Sequence, residues 1–120
     1  MPKLMIVEDD ATMVSLLQTL LELDGFEVMP ATHPDRVLES MRQARPDLVI
    51  MDVFLNSRDG LELLRQLRAS ADLGNTPVIM TSGMDVSDRA LDAGADGFML
   101  KPYSPADLIA MIREKLSKRQ

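Results

Sequence analysis

The chain has 120 residues, room for one ordinary domain, and 46% of them are hydrophobic, enough for a single core. A net charge of −6 argues against gripping a phosphate backbone, and 3% aromatics leave no stacking platform for single-stranded nucleic acid. There is no cysteine for a disulfide frame or thiolate metal site, no apolar run long enough for a bilayer and no signal-peptide pattern, so the chain reads as cytoplasmic.

In chain order, strand-like apolar runs alternate with helix-like periodic segments, and no repeat or linker interrupts them. Residues 4–7 are a first strand ending in Glu8-Asp9-Asp10. Asp10 suits the cap of a helix over 11–23, with Leu16, Leu17, Leu20 and Leu21 at helical spacing and Gly25 as its stop. Residues 27–31 make a weaker, shorter strand near an edge. Pro34 suits the first turn of a helix to about residue 44, broken by Arg45-Pro46-Asp47. His33, the only histidine, reads as an inert surface residue.

Leu48-Val49-Ile50-Met51 runs straight into Asp52, the pattern of a strand buried on both faces of a parallel sheet. A loop from Val53 to Gly60 leads to a helix over about 61–70. Residues 77–81 form a fourth strand ending at Ser82-Gly83, and a short helix fits 87–93. Residues 97–100 are the fifth strand, ending in Lys101-Pro102. Ser104, Pro105 and Asp107 mark a clear helix start, with Leu108, Ile109, Met111, Ile112 and Leu116 as the buried stripe to about 117. The ten methionines read as adaptable core filler.

This alternation predicts an α/β fold: a doubly wound, flavodoxin-like three-layer (βα)5 sandwich on a five-stranded parallel sheet. Strand order 2-1-3-4-5 places the ends of strands one and three side by side. The C-terminal strand ends then carry Glu8 and Asp9, Asp52, Ser82 and Lys101. Three converging carboxylates repel one another unless a cation is present, and oxygen-only donors select a hard one, usually Mg2+. Lys101 adds a mobile positive charge, and Ser82 a hydroxyl able to donate to an oxyanion. Thr81 is an alternative hydroxyl; counting from Pro77 favours Ser82. Each residue has a bland reading: an N-cap cluster for Glu8-Asp9-Asp10, a surface lysine for Lys101, a turn for Ser82, half-buried packing for Tyr103. Their phase along the chain favours one site.

In this combination the residues resemble the receiver domain of bacterial two-component response regulators, over essentially the whole chain. The match consists of Glu8-Asp9 after strand one, Asp52 after strand three, Gly60 eight residues later, Ser82 after strand four and Lys101-Pro102 after strand five. The resemblance implies that Asp52 accepts a phosphoryl group from a sensor histidine kinase or phosphotransfer protein. It implies Mg2+ held by Asp9, Asp52 and the backbone carbonyl of Phe54, with Glu8 acting through water. Lys101 would contact the phosphoryl oxygens and Ser82 would bind one of them after transfer. Phe98, three residues before Lys101, stands where the family has a switching aromatic; without a hydroxyl it would respond through packing alone. The implied output is a switched protein-interaction surface on a monomer or a phosphorylation-dependent homodimer. No nucleic-acid or membrane contact is implied, and no turnover beyond the domain's own phosphorylation and dephosphorylation.

Two departures from the family pattern stand out. Asn56 takes the place of a proline usually found four residues after the acceptor, so the loop holding the Phe54 carbonyl is less constrained. The Ser82–Gly94 segment is about three residues short, nearly one helical turn, which leaves the usual dimer geometry open. The rival readings are weaker. A haloacid-dehalogenase-type phosphatase needs a second Asp at position 54, which is Phe54; a flavodoxin-like cofactor binder needs a phosphate-cradling loop after strand one. A degenerate receiver, binding partners without phosphorylation, is the remaining alternative. The chain reads as a single receiver domain over 1–120 with no output domain in it, either free-standing or part of a longer product.

Overall fold

The computed structural model describes residues 1–31, 34–56 and 58–118. Within them, strands and helices alternate: β1 (Lys3–Val7), α1 (Ala11–Leu23), β2 (Glu27–Ala31), α2 (Val37–Ala44), β3 (Leu48–Asp52), α3 (Gly60–Ala69), β4 (Val78–Ser82), α4 (Ser87–Asp92), β5 (Gly97–Leu100) and α5 (Pro105–Ser117). All strand pairs are parallel, in the order β2-β1-β3-β4-β5. The predicted architecture and strand order are therefore those observed. The surface role expected for His33 falls outside the described residues.

Side-chain alternation divides the core into two layers. Met5, Val7, Val49, Met51, Val78 and Met80 pack with α2 and α3 on one face. Leu4, Ile6, Leu48, Ile50 and Ile79 pack with Leu17 and Leu21 of α1 and Leu108 and Ile112 of α5 on the other. Every residue of β3 is buried, as a central parallel strand requires. Four methionines are buried and four half-buried, leaving only Met1 and Met84 exposed, so methionine is mostly core filler here.

The caps decide where the helices begin and how the chain reaches the sheet's C-terminal edge. Asp10 accepts from the N–H groups of Thr12 and Met13, and Ser104 from Asp107, contacts worth about 1 kcal/mol each. Gly25, at φ +95°, takes the left-handed turn after α1 that a side chain would disfavour.

Two local expectations need correction, and α1 adds one detail. β2 is not shorter: it has five residues, like β1, β3 and β4. Its weak apolar pattern reflects its place at the sheet edge, where Pro30, which has no N–H, is tolerated. The helix expected from Pro34 begins as a 3-10 turn over Pro34–Arg36, and α-helix starts only at Val37. In α1, Leu17 and Leu21 face the core while Leu16 is 53% exposed, because a single sheet covers only one narrow stripe of the helix.

Candidate functional site

The strand ends meet as the topology requires. Val7 pairs in register with Met51, so the residues just after β1 lie beside Asp52. Asp52 pairs with Thr81, and Ser82 with Leu100, one residue before Lys101. Asp52 follows Leu48 and Ile50 in the strand's alternation, yet it carries a charge, and it is only 9% exposed.

Lys101 is the centre of the observed contacts. Its Nζ donates to Glu8 Oε1 at 2.6 Å and to Asp52 Oδ2 at 3.2 Å. The other Glu8 oxygen accepts from the N–H groups of Asp9 and Asp10, at 2.9 and 3.2 Å, which straps the carboxylate to its own loop. Burial pushes the Asp52 carboxyl above its ordinary value and the neighbouring Glu8 charge adds to this, by more than Lys101 takes away. Burial alone would lower the Lys101 ammonium. Its hydrogen bond to Glu8 and the two carboxylate charges outweigh that and raise it. The local charge is thus unbalanced: one ammonium faces two carboxylates.

The loop after Asp52 is anchored by its backbone. Val53 N–H donates to the Thr81 carbonyl at 2.8 Å, Gly60 N–H to the Val53 carbonyl at 2.7 Å, and Phe54 forms an antiparallel bridge with Asp59. A Cβ at Gly60 would lie 2.2 Å from the Asp52 carbonyl oxygen, so only glycine lets α3 start this close to the strand tip. Asp59 caps α3 through the Leu61 N–H at 2.9 Å. An Asp directly before an apolar helical run is the sequence signal for such a cap.

Placed residue by residue, Glu8, Asp52 and Lys101 come together, and Asp9 does not join them. Its Oδ2 accepts the backbone N–H of Asn56, across the gap between the two loops. Among the described residues no three acidic or histidine side chains are close enough to hold a metal ion, and the expected convergence of three carboxylates is not seen as the side chains stand. The donor chemistry still suits a hard cation: oxygens only, in a pocket short of positive charge.

Ser82 is fully buried and its Oγ accepts the Met84 N–H at 3.0 Å, so its hydroxyl serves its own loop and not Asp52. Thr81 is 3% exposed. Phe98 is half-buried against the α2/α3 layer. Phe54 is 53% exposed at the rim. Tyr103 is half-buried in an apolar groove with Met13, Leu16, Leu17 and Leu20, and burial raises its hydroxyl above the usual range.

The family model for the response regulator receiver domain matches residues 4–113. The DNA-binding response regulator MtrA of Mycolicibacterium paratuberculosis is 33% identical over 118 residues, covering 97% of this chain and 52% of MtrA. The chain spans about half the length of the curated relatives it matches. A putative response regulator from Chloroflexus aurantiacus superposes with a TM-score of 0.91 at 30% identity, covering 98% of this chain and 99% of the other. The BeF3-activated receiver domain of Klebsiella pneumoniae RstA gives 0.87 at 31% identity, covering 95% and 97%.

Proposed function

The chain belongs to the response regulator receiver domain family, and from that premise we propose that Asp52 is its phosphoryl acceptor in a two-component phosphorelay. The observation that carries this is the placement of Asp52: a buried carboxylate at the tip of the central strand, touched by a lysine from β5's end and next to a glutamate from β1's end. A one-to-one ion pair would have matched charges. This one holds a carboxyl whose ionised form the surroundings disfavour.

In the proposed step the P–N bond of a phosphohistidine on a histidine kinase or phosphotransfer protein breaks. An Asp52 carboxylate oxygen forms the new P–O bond, and the departing imidazole keeps the electron pair. Such a transfer needs in-line placement and neutralised charge more than covalent work by the protein. Lys101 Nζ, already on Asp52, would follow the charge onto the phosphoryl oxygens. Ser82 would give up the Met84 N–H and donate its own proton to one of them, pulling the β4–α4 loop. Phe98, on the adjoining strand, would repack with it. Glu8, Asp9, Asp52 and the Phe54 carbonyl are the groups that would hold Mg2+, which supplies charge neutralisation when bound. The domain would catalyse only its own labelling and release, with no turnover on free phosphate esters.

Acetyl phosphate or phosphoramidate with Mg2+ is expected to add the mass of one phosphoryl group to the wild-type chain and none to Asp52→Asn. Unchanged labelling of Asp52→Asn sinks the site. Continuous hydrolysis of small phosphate esters would favour a phosphatase instead. No labelling of the wild type under any donor would favour a receiver that binds partners without phosphorylation.

A further inference from the structure

We propose that the backbone N–H of Asn56 is a latch that holds Asp9 out of the cation site, so that binding of a divalent cation requires the latch to open. The inference rests on the reading of Asp9 and Asp52 as cation ligands and adds a residue which that reading does not include.

Three observations support it. Asp9 Oδ2 accepts the Asn56 N–H, and this bond links the loop after β1 to the loop after β3, 47 positions along the chain. Among the described residues, no group of three acidic or histidine side chains lies close enough for a metal. The other two carboxylates are already shared by Lys101. Each carboxylate of the proposed set thus has an internal partner. A charge-assisted hydrogen bond to a carboxylate is stronger than one between neutral groups, so releasing Asp9 carries a real cost.

The donor is the main chain, so the device does not depend on the Asn56 side chain. It depends on position 56 having an N–H at all. A proline there, as in the pattern that the rest of the chain resembles, has none to donate. The latch would thus be a direct consequence of the Asn56 departure. Its effect would be a weaker affinity for the cation, which moves phosphoryl acceptance to higher cation concentration. The latch also ties the Phe54-bearing loop to β1's end while the site is at rest.

The test is a magnesium titration followed by amide NMR on wild type, Asn56→Pro and Asn56→Ala, with no phosphodonor present. Asn56→Pro is expected to bind Mg2+ roughly tenfold more tightly, the scale of one lost competing hydrogen bond. Asn56→Ala keeps the N–H and is expected to match wild type. In the wild type, the residue 56 amide should be slow to exchange without Mg2+ and faster at saturation. That second readout holds even if Asn56→Pro distorts the loop. Saturable binding with the residue 56 amide unmoved, or Asn56→Ala tightening affinity as much as Asn56→Pro, overturns the latch and leaves the cation site standing. Absence of any magnesium response at Glu8, Asp9 or Asp52 overturns the cation reading and the latch together.

Discussion

Two cations, at opposite ends of the sheet, show how the same kind of contact serves two purposes. At the N-terminal edge, Arg68 of α3 donates to the carbonyls of Gly94 at 2.8 Å, Gly74 at 3.1 Å and Thr76 at 2.6 Å, and to Asp96 at 2.7 Å. Asp96 in turn accepts the Val78 N–H. One guanidinium meets one carboxylate, and its remaining donors find neutral carbonyls. At the C-terminal edge, Lys101 meets two carboxylates, and the acidic group of Asp52 is raised as a result of burial and of its neighbour Glu8. The first network is balanced and pins the start of β4 and β5. The second is short of positive charge, which leaves it able to gain from a cation or from a change in the charge on Asp52. Excess charge, not the number of contacts, distinguishes the candidate site from the clamp at the other end.

The largest effect on folding is expected at the balanced end. Arg68→Ala should lower stability in urea denaturation by about 3 kcal/mol, because three part-buried carbonyls and Asp96 lose their shared donor. Arg68→Lys should restore only part of it, since an ammonium cannot fork to four acceptors. Phosphoryl incorporation per folded molecule should stay at the wild-type level; a loss would mean that the two ends are coupled and would break the contrast.

Lys101→Met should cost less in folding, about 1–2 kcal/mol at neutral pH, while removing most phosphoryl incorporation. Because the folded-state ammonium is raised above 10.5, its stabilisation is present below that pH and is lost as pH climbs through the folded value. Denaturation midpoints of wild type and variant should therefore converge in strong alkali.

The smallest effect has the opposite sign. Asp52 titrates higher in the fold than its ordinary 3.8, so the folded state binds its proton more tightly than the unfolded chain. Stability should fall as pH rises from about 3.8 through the folded value. Without magnesium, Asp52→Asn should then melt slightly higher than wild type at neutral pH, and the gap should close below pH 3.8. A lower melting point at neutral pH would show that Lys101 overcompensates, and that this end too is a clamp.

Much of the fold was legible in residue order. The unbroken apolar run from Leu48 to Met51 fits a doubly buried strand, and Asp10, Gly25 and Ser104 mark helix ends by local hydrogen bonding and left-handed turns. The bounds of α1, β3 and β5 follow from such signals without tertiary help. The start of α2 did not, since proline permits a 3-10 turn as readily as an α-turn. The site was legible as a set of residue types at strand ends, because strand order fixes which ends are neighbours.

Partner choice within that set was not legible. The sequence by itself determined that acids, a lysine and a hydroxyl would gather at one sheet edge, through period-two burial and short-range caps. Only the tertiary structure decided that Lys101 spans Glu8 and Asp52, that Ser82 turns to the Met84 N–H, and that Asp9 is taken by the Asn56 N–H. Those pairings join residues up to 93 positions apart through differences of a few ångströms. Pattern and propensity encode which face a side chain takes, and the packed neighbours settle which atom it meets.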